Sequence, residues 1–419
     1  MYRVSPHVRH FAGALIGGTG LATFWVNIAP DSYYDVLEYR FWAPALPEWL
    51  HLPDPVLTLQ FITSEGLMAL LIAFIAKELW EALVLERGAL AGATRRMVPF
   101  GAVCGGVIGA ILVWLVALPA DPDAMALGRS AGWPLPIGSD VVVSYVFGAW
   151  VFGRAHPALH LLLLISIAFD ILGLIGLATA FLTGGPTEEL HPVWLLASAL
   201  ALVTVWTFAA RLARPDATEL QHRRAAALWP YLLAGLVCWA GVVLSGLPGA
   251  LGLLPLIPLV PHAGRSFGLF AEAEEFLHDP LNRLAQLLVR PLPVVLFLFG
   301  LTRGGVDLSA LGPMTIRVLA ALWLGKPLGL VIGAVLATLA LRGTLPSGLR
   351  WHDLLLIAVL SGMGFTVPLL ALDTVLPGGL IAEQARAGVA LSLLFGPLAI
   401  GLSRLLPRAL RRHVANTLP

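Results

Sequence analysis

The sequence predicts an all-α polytopic membrane protein of about twelve transmembrane helices, and three observations carry that prediction. Hydrophobic residues make up 58% of the 419-residue chain and charged residues only 12%, far too little charge to cover a soluble surface. Apolar stretches of membrane-spanning length recur from one end to the other, with a mean hydropathy of +0.85. Lys and Arg are strongly unequal between alternate loops, as a chain weaving through a bilayer requires.

The spans are expected near 11–29, 55–79, 99–119, 136–153, 158–183, 190–213, 228–244, 247–262, 284–302, 313–341, 353–375 and 383–404. The basic start with Arg3 and Arg9 leads into the first apolar run, which reads as a helix and not as a cleavable leader. The first outer loop, about 30–54, is acidic, and its Tyr33, Tyr34, Trp42 and Trp49 are expected at the membrane interface. The second span holds Glu65 near its middle. The fourth is interrupted by Pro134, Pro136 and Gly138 just before Asp140, and the fifth holds Asp170 mid-way. The eighth is short and rich in Pro and Gly, and the segment 262–283 after it reads as the longest cytoplasmic loop. The tenth holds Lys326 mid-way. The eleventh is interrupted by Ser361-Gly-Met-Gly-Phe-Thr-Val-Pro368.

With the N-terminus inside, the inner loops hold roughly nineteen Lys and Arg, Lys77 among them, against four outside, Arg40, Arg129, Arg303 and Arg386. Both termini are then cytoplasmic and the protein is expected in the bacterial inner membrane. A net charge of +1 leaves no nucleic-acid footprint. Cys104 and Cys238 both lie in apolar segments and read as buried small hydrophobes. No nucleophile–base motif, metal-ligand spacing or phosphate loop points to an enzyme or a cofactor.

Charged groups inside spans cost about 2.5–3.5 kcal/mol each on insertion scales and mark functional positions. Asp140, Asp170, Lys326 and Glu65 are such groups. One reading makes Asp170 and Lys326 a structural ion pair between two helices; the other makes them part of a transport site. The Gly and Pro breaks of spans four and eleven allow two readings as well: close helix packing, or a pair of unwound helices in corresponding halves of a transporter. On the second reading, Asp140 neutralises facing helix N-termini and Lys326 facing C-termini. The whole chain is then one transmembrane domain, with inverted repeats at about 99–183 and 313–404.

Taken together these motifs resemble the NhaA family of bacterial sodium/proton antiporters over nearly the whole chain. The resemblance rests on Gly132-Trp133 with Ser139-Asp140, the Asp140-to-Asp170 spacing, Leu324-Gly-Lys-Pro-Leu-Gly329, Gly362-Met-Gly-Phe-Thr366 and Ser64-Glu-Gly-Leu-Met-Ala69. It implies two broken, crossing helices with Gly138, Gly362, Gly364 and Thr366 at the breaks. It implies an ion and proton site of Asp170, Asp140, Ser139 and Lys326, with Asp170 and Asp140 facing a monovalent cation and Asp170 paired to Lys326. Glu78 and Glu274 would belong to a pH-sensing region, Glu65 being a further core acid. Glu78 and Glu274 read equally well as solvated charges at helix ends. The implied partners are the lipid bilayer, sodium or another monovalent cation, protons, and a second copy or a larger membrane complex.

The chain departs from the family at three places. Ile171 follows Asp170 where the family has a second aspartate, and it offers a cation no oxygen. Pro248 stands where the family has a histidine, and Thr302-Arg-Gly-Gly-Val306 puts Arg303 where it has an amide. Three functions therefore stay open: cation/proton exchange, weak or electroneutral for want of the second carboxylate; a transport-inactive structural or regulatory subunit; and transport of another substrate such as an anion.

Overall fold

The computed structural model describes residues 7–42, 57–84, 93–116, 132–182, 191–212, 227–262, 279–340, 345, 348–376 and 378–405. Among these, eight helices or helix runs are long and apolar enough to cross a bilayer: His7–Ile28, Leu59–Ala82, Met97–Val116, Pro157–Ala180, Pro192–Ala209, Pro313–Ala340, Trp351–Leu372 and Leu380–Leu405. Pro280–Val289 and Leu292–Arg303 make a ninth if their 52° bend falls within one span, and Val141–Phe152 and Trp229–Leu244 are shorter apolar helices. The expected eighth span is not an α-helix. It is the 3-10 turns Gly249–Leu251 and Leu254–Leu259, because Pro255 and Pro258 remove the N–H groups that an α-helix needs. Many large apolar side chains, such as Phe24, Trp206, Trp229, Ile316 and Leu339, point outward, as a lipid-facing surface requires.

Two sets of three segments follow the same order. The first is Ala93–Val116, a broken segment ending in Val141–Phe152, and Pro157–Leu182. The second is Pro313–Ala340, the broken pair Trp351–Ser361 and Thr366–Val375, and the run Leu380–Leu405. Their first helices lie antiparallel in a seam of glycines, Gly101, Gly105 and Gly109 meeting Gly333, Gly329 and Gly325 in reverse order. A Cβ on Gly105 would lie 2.2 Å from the Gly329 carbonyl oxygen, and one on Gly329 2.1 Å from that of Gly105. Only glycine permits backbones this close, which is how helices associate where lipid removes the hydrophobic drive.

The α-helical pattern widens to a π turn at two places, Ile62–Leu67, which carries Glu65, and Ala321–Gly325, which ends just before Lys326. Such bulges re-aim side chains and gather at functional positions.

Outside the two sets, His7–Ile28 packs along Leu292–Arg303, with Gly18 against the Phe297 carbonyl and Gly300 against that of Leu15. The chain then turns back as Pro30–Glu38 and a short antiparallel ribbon, Arg40–Trp42 with Leu57–Thr58. Tyr33 is buried, and its hydroxyl donates to the Leu301 carbonyl at 2.9 Å. Trp42 is exposed, and Trp49 lies outside the described residues. Cys104 and Cys238 are free thiols.

Candidate functional site at the crossing of two broken helices

Before Asp140 the fourth segment makes two tight turns, closed by Leu135 N–H to Gly132 O at 3.2 Å and Ile137 N–H to Pro134 O at 3.1 Å. It runs unwound through 138–140 and resumes as Val141–Phe152. The eleventh span stops at Ser361, runs unwound through 363–365 and resumes as Thr366–Val375. The two interruptions touch: a Cβ on Gly138 would lie 2.7 Å from Pro368 Cδ and 2.8 Å from Val367 Cβ. Two helix N-termini, the carbonyl end of one half-helix and the carbonyls of the unwound segments thus meet inside the core, where unsatisfied backbone groups are costly.

Asp140 answers both N-termini. Its Oδ1 accepts Val143 N–H at 2.6 Å, capping its own helix, and its Oδ2 accepts Thr366 N–H at 3.3 Å, capping the other. A carboxylate at two positive helix ends is the favourable sign for the dipoles. Ser139 and Lys326 answer the carbonyls. The Ser139 hydroxyl lies 3.3 Å from Ser361 O and 3.2 Å from Met363 O, and Lys326 Nζ donates to Gly138 O at 2.5 Å. Lys326 also sits 4.7 Å from the Phe169 ring centroid, in cation–π range. Asp140, Asp170, Ser139 and Lys326 are all fully or almost fully buried.

Asp170, from the middle of Pro157–Leu182, accepts the Ser139 backbone N–H on Oδ1 at 2.7 Å. Among the described ion pairs, none joins it to Lys326. The two charges act on each other through space without a direct contact, and the unwound segment between them offers Lys326 a carbonyl and Asp170 an amide. Ile171 is half-buried and packs against the main core.

Gly138, Gly362, Gly364 and Thr366 are all at the crossing. Gly362 admits Leu322 O and the Phe395 ring, and Gly364 lies against Pro368 and Leu322. Sequence reasoning missed Ser392, whose hydroxyl bonds Gly364. A lone serine in an apolar helix carries no signal that separates it from a packing residue.

The other expected residues lie elsewhere. Glu65 Oε2 accepts Gly249 N–H, and the Trp239 indole donates to Glu65 O at 2.7 Å. Arg303, expected in an outer loop, is buried, with Nε donating to Ser64 Oγ at 2.8 Å. Arg386 is in the helix Leu380–Ser392 and pairs with Glu383. Glu78 is not a solvated helix-end charge, nor is Lys77 a loop residue. Both are buried in Met68–Val84, Lys77 lying 3.1 Å from Glu78 and 3.0 Å from Glu81. Low dielectric forces a shared cation on the two acids. Glu274, with 263–278 of the expected loop, lies outside the described residues.

Among the described residues no group of three or more His, Cys, Asp or Glu is arranged to hold a metal ion. What the crossing offers a monovalent cation is the carboxylate of Asp170, the Ser139 hydroxyl and unwound carbonyls. Asp140 has both oxygens engaged by amides.

The sequence profile described as Na+/H+ antiporter 1 matches residues 7–402. The chain is similar to the Na(+)/H(+) antiporter NhaA of Jannaschia sp. (strain CCS1), 38% identical over 416 residues, covering 96% of this chain and 97% of that protein. It is also similar to the Na(+)/H(+) antiporter NhaA of Geotalea uraniireducens (strain Rf4), 30% identical over 410 residues and 98% of each chain. Among solved structures it is similar to the sodium proton antiporter MjNhaP1 from Methanocaldococcus jannaschii, with a TM-score of 0.53 over 94% of this chain and 92% of that one. At 15% identity that last likeness is one of fold.

Proposed function

This chain belongs to the Na+/H+ antiporter 1 family, and from that membership we propose that it exchanges a monovalent cation for protons across the bacterial inner membrane by alternating access. The two three-segment sets act as its inverted halves. The observation that carries the reading is Asp170: a buried carboxylate at the crossing, bonded to one amide and joined to no cation by a described ion pair. A buried carboxylate needs a compensating positive charge. A proton and a metal cation are alternatives for that role, and their mutual exclusion is antiport. Lys326 stays with the Gly138 carbonyl and Asp140 with the two helix N-termini, so those contacts persist while Asp170 changes its occupant and with it its hold on the Ser139 amide.

With Ile171 in place of a second carboxylate, exchange takes one proton per cation and moves no net charge. Two protons per cation would move one charge, worth about 2.3 kcal/mol per 100 mV. The test is proton flux in proteoliposomes with sodium, lithium and potassium added in turn, first with the membrane potential clamped to zero and then with it imposed. Cation-dependent flux indifferent to the potential is the expected result.

Ile171 also favours a second reading, a transport-inactive member kept as a membrane subunit. Silence with all three cations on both sides of neutral pH would establish that reading in place of the first. Transport of an anion, favoured by Lys326 and Arg303, is disfavoured by Asp140 and Asp170, both buried at the crossing.

A further inference from the structure

Ser392 ends the helix Leu380–Ser392 and is fully buried. Its hydroxyl oxygen accepts Gly364 N–H at 3.0 Å, and its single proton is shared between Gly364 O at 3.0 Å and Val389 O at 2.6 Å. One side chain therefore holds both backbone groups of Gly364, in the middle of the eleventh-span break. Ser392 is itself fixed from the tenth span. The Trp323 indole donates to Ser392 O at 3.2 Å, and Trp323 stacks on Phe395 with centroids 4.5 Å apart and planes 7° apart. Trp323 belongs to the π turn that ends just before Lys326.

The break in the fourth segment is held by a different kind of group in the same place. In each set the third helix puts an acceptor on an amide N–H of the broken second segment: Asp170 on Ser139, and Ser392 on Gly364. Asp170 exchanges a proton or a cation, and a carboxylate oxygen is a much stronger acceptor when charged. A serine hydroxyl keeps the same hydrogen bonds at any pH the protein meets. The residues 361–366 between the two half-helices, Ser361-Gly-Met-Gly-Phe-Thr366, include no ionisable side chain. The two breaks press on each other, a Cβ on Gly364 lying 3.4 Å from Gly138 O, so movement in one needs a fixed surface in the other.

We propose that Ser392 is the positioning residue that keeps the eleventh-span break fixed through the transport cycle, so that the change of occupant at Asp170 loosens only the fourth-segment break. The inference rests on the antiport reading, and it names the static half of that site. Without the hydroxyl, Gly364 N–H is buried and short of an acceptor, and the segment leading to Thr366, whose amide Asp140 caps, loses its anchor.

Hydrogen exchange followed by mass spectrometry, on the full chain in lipid nanodiscs, tests this directly through peptides covering 137–141 and 361–366. Rates are corrected for the intrinsic pH dependence of exchange. In the unmodified protein, protection of 137–141 should change between acidic and alkaline pH while that of 361–366 stays constant. Ser392→Ala should speed exchange at 361–366 about tenfold, and Ser392→Thr, which restores a hydroxyl, should return it. In proteoliposomes Ser392→Ala should raise the KM for the cation more than it lowers kcat, with Ser392→Thr again restoring both. Where the alanine variant does not fold, Ser392→Cys, a weaker partner, should give the same changes at smaller size. Equal exchange at 361–366 with and without the hydroxyl would overturn the proposal. So would loosening of 361–366 in step with 137–141 as pH changes. If the unmodified protein carries no cation, the antiport reading falls on the flux assay alone, and the exchange measurement still reports whether Ser392 holds the break.

Discussion

Two groups of buried charges in this molecule are satisfied in opposite ways. At the end of Met68–Val84, Lys77 is wedged between Glu78 and Glu81 and the opposite charges meet directly. At the crossing, Lys326 and the two aspartates each go to backbone: a carbonyl for Lys326, two helix N-termini for Asp140, one amide for Asp170. Direct pairing ties charges together, so that removing one strands the others. Backbone capping gives each charge its own hydrogen-bond partner, although Asp170 and Lys326 still act on each other through space, and one of them can change its occupant while the others keep their partners. The first arrangement suits a clasp and the second a transport site.

The largest expected effect tests whether Asp170 is that exchanging group. Asp170→Asn keeps an oxygen for the Ser139 N–H but can bind neither a proton nor a cation in exchange. Flux should fall to background while thermal stability in detergent stays within about 1 kcal/mol of the parent. Residual cation-driven flux in this variant would move the proton-carrying role to Asp140.

The two lysines sharpen the comparison. Lys77→Met takes the shared cation from two buried acids and should cost about 3–5 kcal/mol of stability. Lys326→Met leaves the Gly138 carbonyl short of a donor and should cost only about 1–3 kcal/mol, yet it should slow exchange far more than Lys77→Met does. Thermal melts and flux on the same preparations decide. If Lys326→Met melts as low as Lys77→Met, the two clusters are not different in kind.

Much of the crossing was legible in the sequence because it depends on residues that are expensive to place in a membrane. Asp140, Asp170 and Lys326 announce themselves by charge, and the breaks by Gly and Pro. The dipole argument also placed Asp140 at the facing N-termini, where it caps both helices. What was not legible is the partner of each charge. Opposite charges in apolar helices suggest a pair, and only the path of the unwound backbone reveals a carbonyl nearer to Lys326 and an amide nearer to Asp170. Lys77 and Arg303 misled for a related reason. Each lies near the end of an apolar run, where a long cationic side chain ordinarily reaches water, and each turns inward to a partner on a neighbouring turn or helix. Ser392 and the seam of Gly105 and Gly329 were invisible, since serine and glycine are ordinary in apolar helices until the fold places something against them.

The smallest expected effect falls on Ile171, and it bears on how far the crossing has departed from a two-carboxylate site. Successive helix positions point about 100° apart, and Ile171 is half-buried where Asp170 is fully enclosed. A carboxylate at 171 can stay protonated, and so uncharged, while no cation is bound, and Ile171→Asp should lower stability only slightly. It should not create the site, because Asp170, Ser139 and the unwound carbonyls are already there. What it should change is the number of protons returned per cation, by adding a second group that must be neutralised when the cation leaves. Flux at zero potential should rise modestly for sodium or lithium, and flux under an imposed potential should become sensitive to its sign, which the unmodified protein's exchange is not. Strong, potential-driven sodium exchange by the unmodified protein would mean that Asp140 or Lys326 already supplies the second proton. A folded Ile171→Asp variant that gains neither flux nor potential sensitivity would mean that the side chain at 171 does not reach the cation, and that the backbone-capped arrangement of the crossing supports one exchangeable charge only.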